Sequence, residues 1–282
     1  MLKPTILFWN IQKRSIPTRV ASIIKHYEID IVVLAECRLD RSEFCKEVKQ
    51  RSGKQFFEVG YVLPEDQKDP KLRIFSHLRG PSLRPTHVSL HGDVVAASLM
   101  TNGGQVLVVG VHLPAPFKGT KELSSQYVTR VASAIGQIED GAGHRNTIVV
   151  GDFNMNPYDA GMTGKLALSA VLTRDQLRDR KYMSEEGVRS FYNPMWGLFG
   201  DRTAGPPGTF KLELTGDANC WHMLDQVLVR ESLALAIEDL KILDSDGTKT
   251  LLTKSGYPDP EYGSDHLPLL FQLDSTRIAQ NG

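Results

Sequence analysis

Seven short runs of strand-forming residues constrain this chain most: Ile6 to Trp9, Ile31 to Leu34, Val94 to Met100, Val106 to Val111, Ile148 to Val150, Val227 to Val229 and Leu267 to Leu273. They are apolar nearly throughout, as strands buried on both faces are. Helical spacing separates some of them. From Pro17, the residues Val20, Ile23, Ile24 and Tyr27 share one helix face, and proline suits a first helical turn. From Lys121, the set Leu123, Tyr127, Val131, Ile135 and Ile138 does the same, with Gly141 and Gly143 as stop signals. Weaker patterns predict helices over Arg41 to Arg51 and from Gly164 to about Leu177. The stretch "MTNGGQ", Met100 to Gln105, predicts a hairpin. The class is therefore α/β, with mixed sheet covered by helices. Residues 60–92 and 178–222 are rich in glycine, proline and charge and read as long surface loops. With no repeat and no linker, the expectation is one domain over residues 1–275 and a tail over 276–282.

Charge is balanced, with 33 Lys plus Arg against 33 Asp plus Glu, so phosphate recognition here needs a local patch and not a basic surface. The three cysteines are odd in number and form no C-x-x-C pair, which fits unbridged thiols in a reducing compartment. The first apolar run, Ile6 to Trp9, is too short for a signal peptide or a membrane span, and no other run approaches a span. The expectation is a cytoplasmic protein with no membrane partner.

The ends of the runs carry the chemistry. "ILFWN" ends at Asn10, "IVVLAE" at Glu36, "VLVVGVH" at His112, and "IVVGDFN" at Asp152 and Asn154. "LDQVLV" starts near Asp225, and "SDHLPLLFQL" starts with Asp265 and His266. One polar strand end is a turn. If the last two strands run antiparallel to the first four, all these groups reach one sheet edge. Acids and imidazoles gathered there repel or stay desolvated unless a cation or phosphate joins them. The residue types suit metal-assisted phosphoryl transfer. Glu36 and Asp265 are hard oxygen ligands for Mg²⁺, with Mn²⁺ as substitute. Asp152 is suited to draw a proton from water, and Asn154 to orient that water or donate to a phosphate oxygen. His112 and His266 are suited to donate to phosphate, and Asp225 to fix one imidazole tautomer. There is no P-loop and no strand-to-helix nucleophile elbow.

The ordered segments "FWNIQ", "LAEC", "GVHLP", "GDFNMNP", "MLDQVLV" and "GSDHLPLLFQL" resemble the endonuclease/exonuclease/phosphatase superfamily over nearly the whole chain. The resemblance implies a four-layer α/β sandwich, two packed mixed β-sheets flanked by helices, with a metal at one edge. It implies Glu36 as principal metal ligand with Asp265 beside it, and Asn10 next to metal and phosphate. It implies Asp152 as activator of the nucleophile, Asn154 as its positioner, and His266 on the scissile phosphate supported by Asp225. His112 matches the histidine that DNase-like members place on the phosphate or leaving group. Departures are Gln12, where many members carry Asp or Gly, and "MLDQ" at Met223 to Gln226, where an arginine and an aromatic are common. The inositol phosphatase signatures are absent.

The expected substrate is DNA or RNA. Lys13 and Arg14 follow Asn10, Lys118 and Lys121 follow His112, and Lys71, Arg73, Arg79 and Arg84 with His77, His87 and His91 form a basic stretch, so each group offers phosphate contacts. Trp196, Phe199, Phe210 and Trp221 offer stacking surfaces or loop anchors. Neutral overall charge keeps open a phosphomonoester or phospholipid substrate, such as an inositol phosphate. An inactive nucleic-acid- or protein-binding scaffold is the alternative of another class.

Overall fold

The strands divide their side chains between two cores. The computed structural model describes residues 3–60, 71–89, 92–115, 121–177, 189–212 and 218–279. Strands β1 (Thr5–Asn10) and β2 (Ile31–Ala35) are buried at every position and pair in parallel. They lie inside a six-stranded sheet with β3 (Phe57–Glu58), β4 (Leu72–Ser76), β14 (Ile237–Ile242) and β15 (Leu269–Leu273), in the order β14-β15-β1-β2-β4-β3. The second sheet has seven strands. Its centre is β6 (Val94–Thr101), β7 (Gly104–His112), β8 (Thr147–Asp152) and β13 (Asp225–Val229). Its edges are β5 (Leu83–Val88) on one side, and β10 (Phe191–Tyr192) and β9 (Ala170–Val171) on the other. A two-stranded ribbon, β11 (Phe210–Lys211) with β12 (Trp221–His222), stands apart.

Alternation along the second sheet shows the layering. Val95, Ala97, Val106, Val108, Ile148, Val150 and Val227 join one core with β1 and β2. Their neighbours Val94, Ala96, Leu107, Val109, Val149 and Leu228 join another with Val128, Val131 and Ile135 of helix α3 (Lys121–Ala142). A period of two thus turns one face of the sheet to the other sheet and one face to a helix. Helices α1 (Pro17–His26) and α2 (Arg41–Ser52) cover the outer face of the first sheet through Val20, Ile23, Ile24, Phe44 and Val48. The result is the four-layer α/β sandwich. Helix α2 is bounded by Asp40, whose side chain accepts from Glu43 N at 2.8 Å, and by Gly53 in the left-handed region. No helix among the described residues is long and apolar enough to cross a membrane.

Three expectations are corrected. The region 60–92 is not all loop: β4 lies between β2 and β3, and β5 forms an edge that tolerates Pro85 with a register shift beside it. Strand β4 was hidden by Arg73, which leaves the sheet face to pair with Glu58 of β3. The region 178–222 likewise contains β10 to β12. No helix spans Gly164 to Leu177: a four-residue helix α4 (Ala160–Thr163) ends at Gly164, Ser169 turns through φ 48°, and Ala170 and Val171 pair with β10. Tertiary pairing overrides the local helical spacing there. The hairpin at "MTNGGQ" forms as expected, with Thr101 opposite Gly104. Beyond Ser275 the chain stays on the fold: Ile278 is buried in the core and Ala279 N donates to Ser232 O.

Asp30, just before β2, ties the first sheet together. Its carboxylate accepts from Thr5 N at 2.9 Å, contacts His77 Nε2 at 2.7 Å and lies 3.6 Å from Lys54 Nζ. Burial disfavours the charge, but the His77, Thr5 and Lys54 contacts outweigh it and hold the acid below its ordinary pKa. A depressed folded pKa stabilises the fold above the unfolded value, about 3.9, and that contribution is lost as pH falls through the folded value. Asp30→Asn is expected to cost about 2 kcal/mol at pH 7. In urea denaturation, the gap between variant and wild type should narrow as the pH is taken below about 4; a gap independent of pH would refute the assignment.

Candidate active site

Parallel and antiparallel register bring the strand ends together. In the first sheet, Asn10 ends β1 beside Ala35 of β2, and Glu36 follows at once. In the second, His112 of β7 and Asp225 of β13 flank Asp152 of β8 on either side. β13 and β15 run antiparallel to β8 and β1, so Asp225, Asp265 and His266 arrive from their own strand starts. Gly151 precedes Asp152 because a Cβ there would run into the Val111 carbonyl oxygen.

The two sheets meet in a hydrogen bond. Asn10 Nδ2 donates to Asp152 Oδ2 at 2.9 Å, and Asn154 N donates to Asp152 Oδ1 at 2.8 Å. Asn154 adopts φ 51°, and its side-chain nitrogen donates to Leu113 O at 2.8 Å. His266 Nδ1 lies 2.8 Å from Asp225 Oδ2, and its Nε2 lies 3.9 Å from Asp152 Oδ2. His112 Nε2 lies 3.6 Å from Glu36 Oε1 and 3.8 Å from Asp152 Oδ2. The supports are equally specific. Trp9 Nε1 donates to His266 O, Ser264 Oγ to Asn10 O, and Asp225 N to Thr209 Oγ1. The Phe210 ring packs on His266 with centroids 4.6 Å apart.

Electrostatics separate the groups. Burial pushes Asp152 up to about 7, with Asp225 adding to the rise and His266 working against it. Burial opposes charge on His266, but Asp225, Asp152 and Asp265 outweigh it and push the imidazole up to about 10. Burial, together with Lys71 and His266, drives His112 down to about 4 against the pull of Glu36. Near neutral pH one imidazole is thus a cation and the other is neutral. Asp265 is also raised, first by burial. Asp152, Asp225 and His266 each bring a ligand atom within 4.8 Å of the others. Asp225 Oδ1 and His112 Nδ1 are buried without a hydrogen-bond partner.

The site opens into a cleft of about 460 Å³ lined by Glu36, His112, Asp152, Asn154, Asp265 and His266, with Lys13, Arg38, Lys71 and Phe210 around them. Asn10 and Asp225 lie buried behind this lining. Arg14 does not line it, since its guanidinium donates to Pro260 O. Lys118 and His91 lie outside the described residues, as does the side chain of Lys121. Among the described residues of the basic stretch, only Lys71 lines the cleft; Arg73 pairs with Glu58, Arg79 covers the Phe57 ring, and His77 meets Asp30. Arg38 and Gln12 join the site without a sequence signal for substrate or metal. Arg38 stands two residues after Glu36, a spacing that carries no signal by itself. Gln12 Nε2 donates to Asp265 Oδ2 at 2.7 Å across 253 positions of sequence, a contact no local pattern announces.

A model described as the Endonuclease/Exonuclease/phosphatase family matches residues 7–266. No curated protein sequence matches significantly. Among solved structures, the fold is similar to the endonuclease domain of TRAS1, a telomere-specific non-LTR retrotransposon, at 14% identity and TM-score 0.56, covering 96% of this chain and 98% of that one. It is similar to an endonuclease/exonuclease/phosphatase family protein from Bacteroides thetaiotaomicron at 14% identity and TM-score 0.58, covering 96% and 97%. It is also similar to the catalytic domain of human Nocturnin at 17% identity and TM-score 0.54, covering 96% and 93%. Identities this low carry the fold, while the match to residues 7–266 runs from β1 to His266 and so takes in every strand end described above. The chain belongs to the endonuclease/exonuclease/phosphatase family of hydrolases.

Proposed function

We propose that this chain is a Mg²⁺-dependent phosphodiesterase that hydrolyses nucleic acid in the cleft between the two sheet edges. The observation that carries the reading is the line Asp225–His266–Asp152, with Glu36 and Asp265 lining the same cleft. Such an array separates a proton donor from a proton acceptor and leaves carboxylates over for a cation.

The donor set fits a hard divalent cation. Burial raises both Asp152 and Asp265, so the cleft holds negative charge that its own side chains do not fully compensate. Of the two candidate positions, Glu36 with Asp265 suits the ion better than the tighter Asp152, Asp225 and His266 group. His266 is held as a cation with Nδ1 engaged by Asp225, and a protonated imidazole has no lone pair to give. Members of the family generally use divalent metals, and Glu36 and Asp265 would hold one, which would supply Lewis-acid stabilisation to a phosphoryl oxygen. Mn²⁺ is the expected substitute.

The protein's own groups divide the remaining work. Asp152 receives the proton of the attacking water. Asn10 and the Asn154 amide hold its two oxygens, so the acceptor is aimed before substrate arrives. His266 presents Nε2–H to the phosphate while Asp225 fixes Nδ1–H. His112, kept neutral, donates to the phosphate or leaving group without adding charge. Lys13, Arg38 and Lys71 on the cleft rim meet neighbouring phosphates, and Phe210 offers a ring face to a base or sugar. One similar fold being a retrotransposon endonuclease domain supports the same substrate class.

Two tests follow from these roles. A substrate panel of single- and double-stranded DNA, RNA, abasic DNA and inositol phosphates should show cleavage of a polynucleotide that chelation abolishes and Mg²⁺ restores. Asp152→Ala and His266→Ala should each lower turnover about 100-fold or more; undiminished metal-dependent hydrolysis in both would discard the assignment. Asp225→Asn should lower kcat about tenfold or more with KM little changed. A rise in KM alone would place Asp225 in binding instead.

A further inference from the structure

Gln12 and Lys13 are consecutive residues in left-handed backbone, with φ of 49° and 59°. L-residues visit that region at a cost and seldom twice in succession. Both side chains are exposed, so no packing repays the strain. The chain is held in this turn by Gln12 N on Asn10 Oδ1 at 3.0 Å, Lys13 N on Glu36 O at 2.9 Å and Arg14 N on Ile11 O at 2.8 Å. The consequence lies in where the two side chains end. Gln12 Nε2 donates to Asp265 Oδ2 at 2.7 Å, and Lys13 Nζ lies 3.5 Å from Glu36 Oε2. One turn after β1 thus reaches both carboxylates assigned to the cation, although they come from opposite flanks of that strand.

We propose that this turn is an ion-exchange clamp, in which Gln12 positions Asp265 while Lys13 stands at Glu36 in place of the divalent cation and is displaced toward the substrate phosphate when the cation binds. The inference rests on the reading of Glu36 and Asp265 as cation ligands. Lys13 and a divalent ion compete for the same carboxylate, and the ion prevails. The Lys13 side chain is 56% exposed, and an ion pair this open is worth at most about a fivefold factor in an equilibrium. A divalent cation with several oxygen ligands gains more than that. Gln12 acts differently. Its amide is a neutral donor, so it fixes the Asp265 carboxylate without competing for it. A carboxylate at position 12 would repel Asp265 until an ion arrived. The displaced ammonium stays on the cleft rim with Arg38 and Lys71, which is where a phosphate must pass. Cation and substrate binding are thereby linked with positive sign through one flexible side chain.

The test is Mn²⁺ affinity of the substrate-free full chain, read from the electron paramagnetic resonance of unbound Mn²⁺. Lys13→Met keeps the side-chain stem and the backbone and removes the competing charge; it should tighten Mn²⁺ about twofold to fivefold. Gln12→Leu should weaken it by about the same factor. With the cation saturating, Lys13→Met should raise KM for the polynucleotide, so its two readouts move in opposite directions, which a damaged fold cannot produce. Equal or weaker Mn²⁺ binding in Lys13→Met would overturn the exchange. Glu36→Gln separates the two readings. Lost Mn²⁺ binding there with no tightening in Lys13→Met defeats the clamp alone, whereas unchanged binding in Glu36→Gln removes the cation site and the clamp with it.

Discussion

The hydrogen bond from Asn10 to Asp152 joins the two sheets at the candidate active site. Asn10 is the last residue of a strand in one sheet, and Asp152 is the last residue of a strand in the other. Asp152 is 1% exposed, and a carboxylate so buried needs a fixed donor. A buried bond to a charged acceptor contributes about 1.5–3 kcal/mol, and losing the donor costs the desolvation of the acid as well. The interaction forms only if the sheets stack face to face with these ends in line. Gly110 helps set that distance, since a Cβ there would lie 3.0 Å from Val33 and 3.1 Å from Val95, in the seam between the sheets. Packing deep in the sandwich and geometry at its rim are therefore one constraint.

The same geometry sorts the charges. Asp152 touches the imidazolium at one remove, 3.9 Å from His266 Nε2, while Asp225 holds Nδ1 at 2.8 Å. The closer carboxylate fixes the ring, and the farther one keeps an oxygen for a proton. His112 shares the cleft yet loses its charge, because burial, with Lys71 and His266 adding to it, outweighs the pull of Glu36 at 3.6 Å. Two histidines thus differ in protonation because their neighbours differ, which is the usual route to acid and base roles in one site.

Much of this was readable from sequence, for a reason visible in particular strands. β1, β2, β7 and β8 are apolar over nearly their whole length, so Asn10, Glu36, His112 and Asp152 stand out as abrupt polar ends. Their direction could be guessed because Asp225 and His266 precede their runs instead of following them. β4 was not readable, because Arg73 interrupts a short apolar segment and its charge is answered by Glu58 on the neighbouring strand. Leu168 and Leu172 stand four apart, as on one helix face, yet Leu172 is 50% exposed and Leu168 is buried with residues of α3, an arrangement that only the neighbouring elements determine. Lys13 and Arg14 are adjacent cations with opposite fates. The left-handed turn sends Lys13 to Glu36 and leaves Arg14 on the Pro260 carbonyl, and nothing in "NIQKR" distinguishes them.

Placement on strand ends also explains why so many groups serve one small cleft. A strand end has its backbone fixed by neighbours on both sides, so its side chain starts from a settled position. Glu36 shows the limit of that arrangement. It lies one residue past β2, in left-handed backbone at φ 49°, with its N–H on Lys71 O and its carbonyl accepting from Lys13. Held by backbone on both sides and half-buried, its carboxylate still faces the cleft. A carboxylate on a free loop would pay rotamer and backbone entropy each time it gathered a ligand. Here most of that ordering is done by folding, and the Lys13 side chain, 56% exposed, stands in solvent beside the carboxylate that folding has placed.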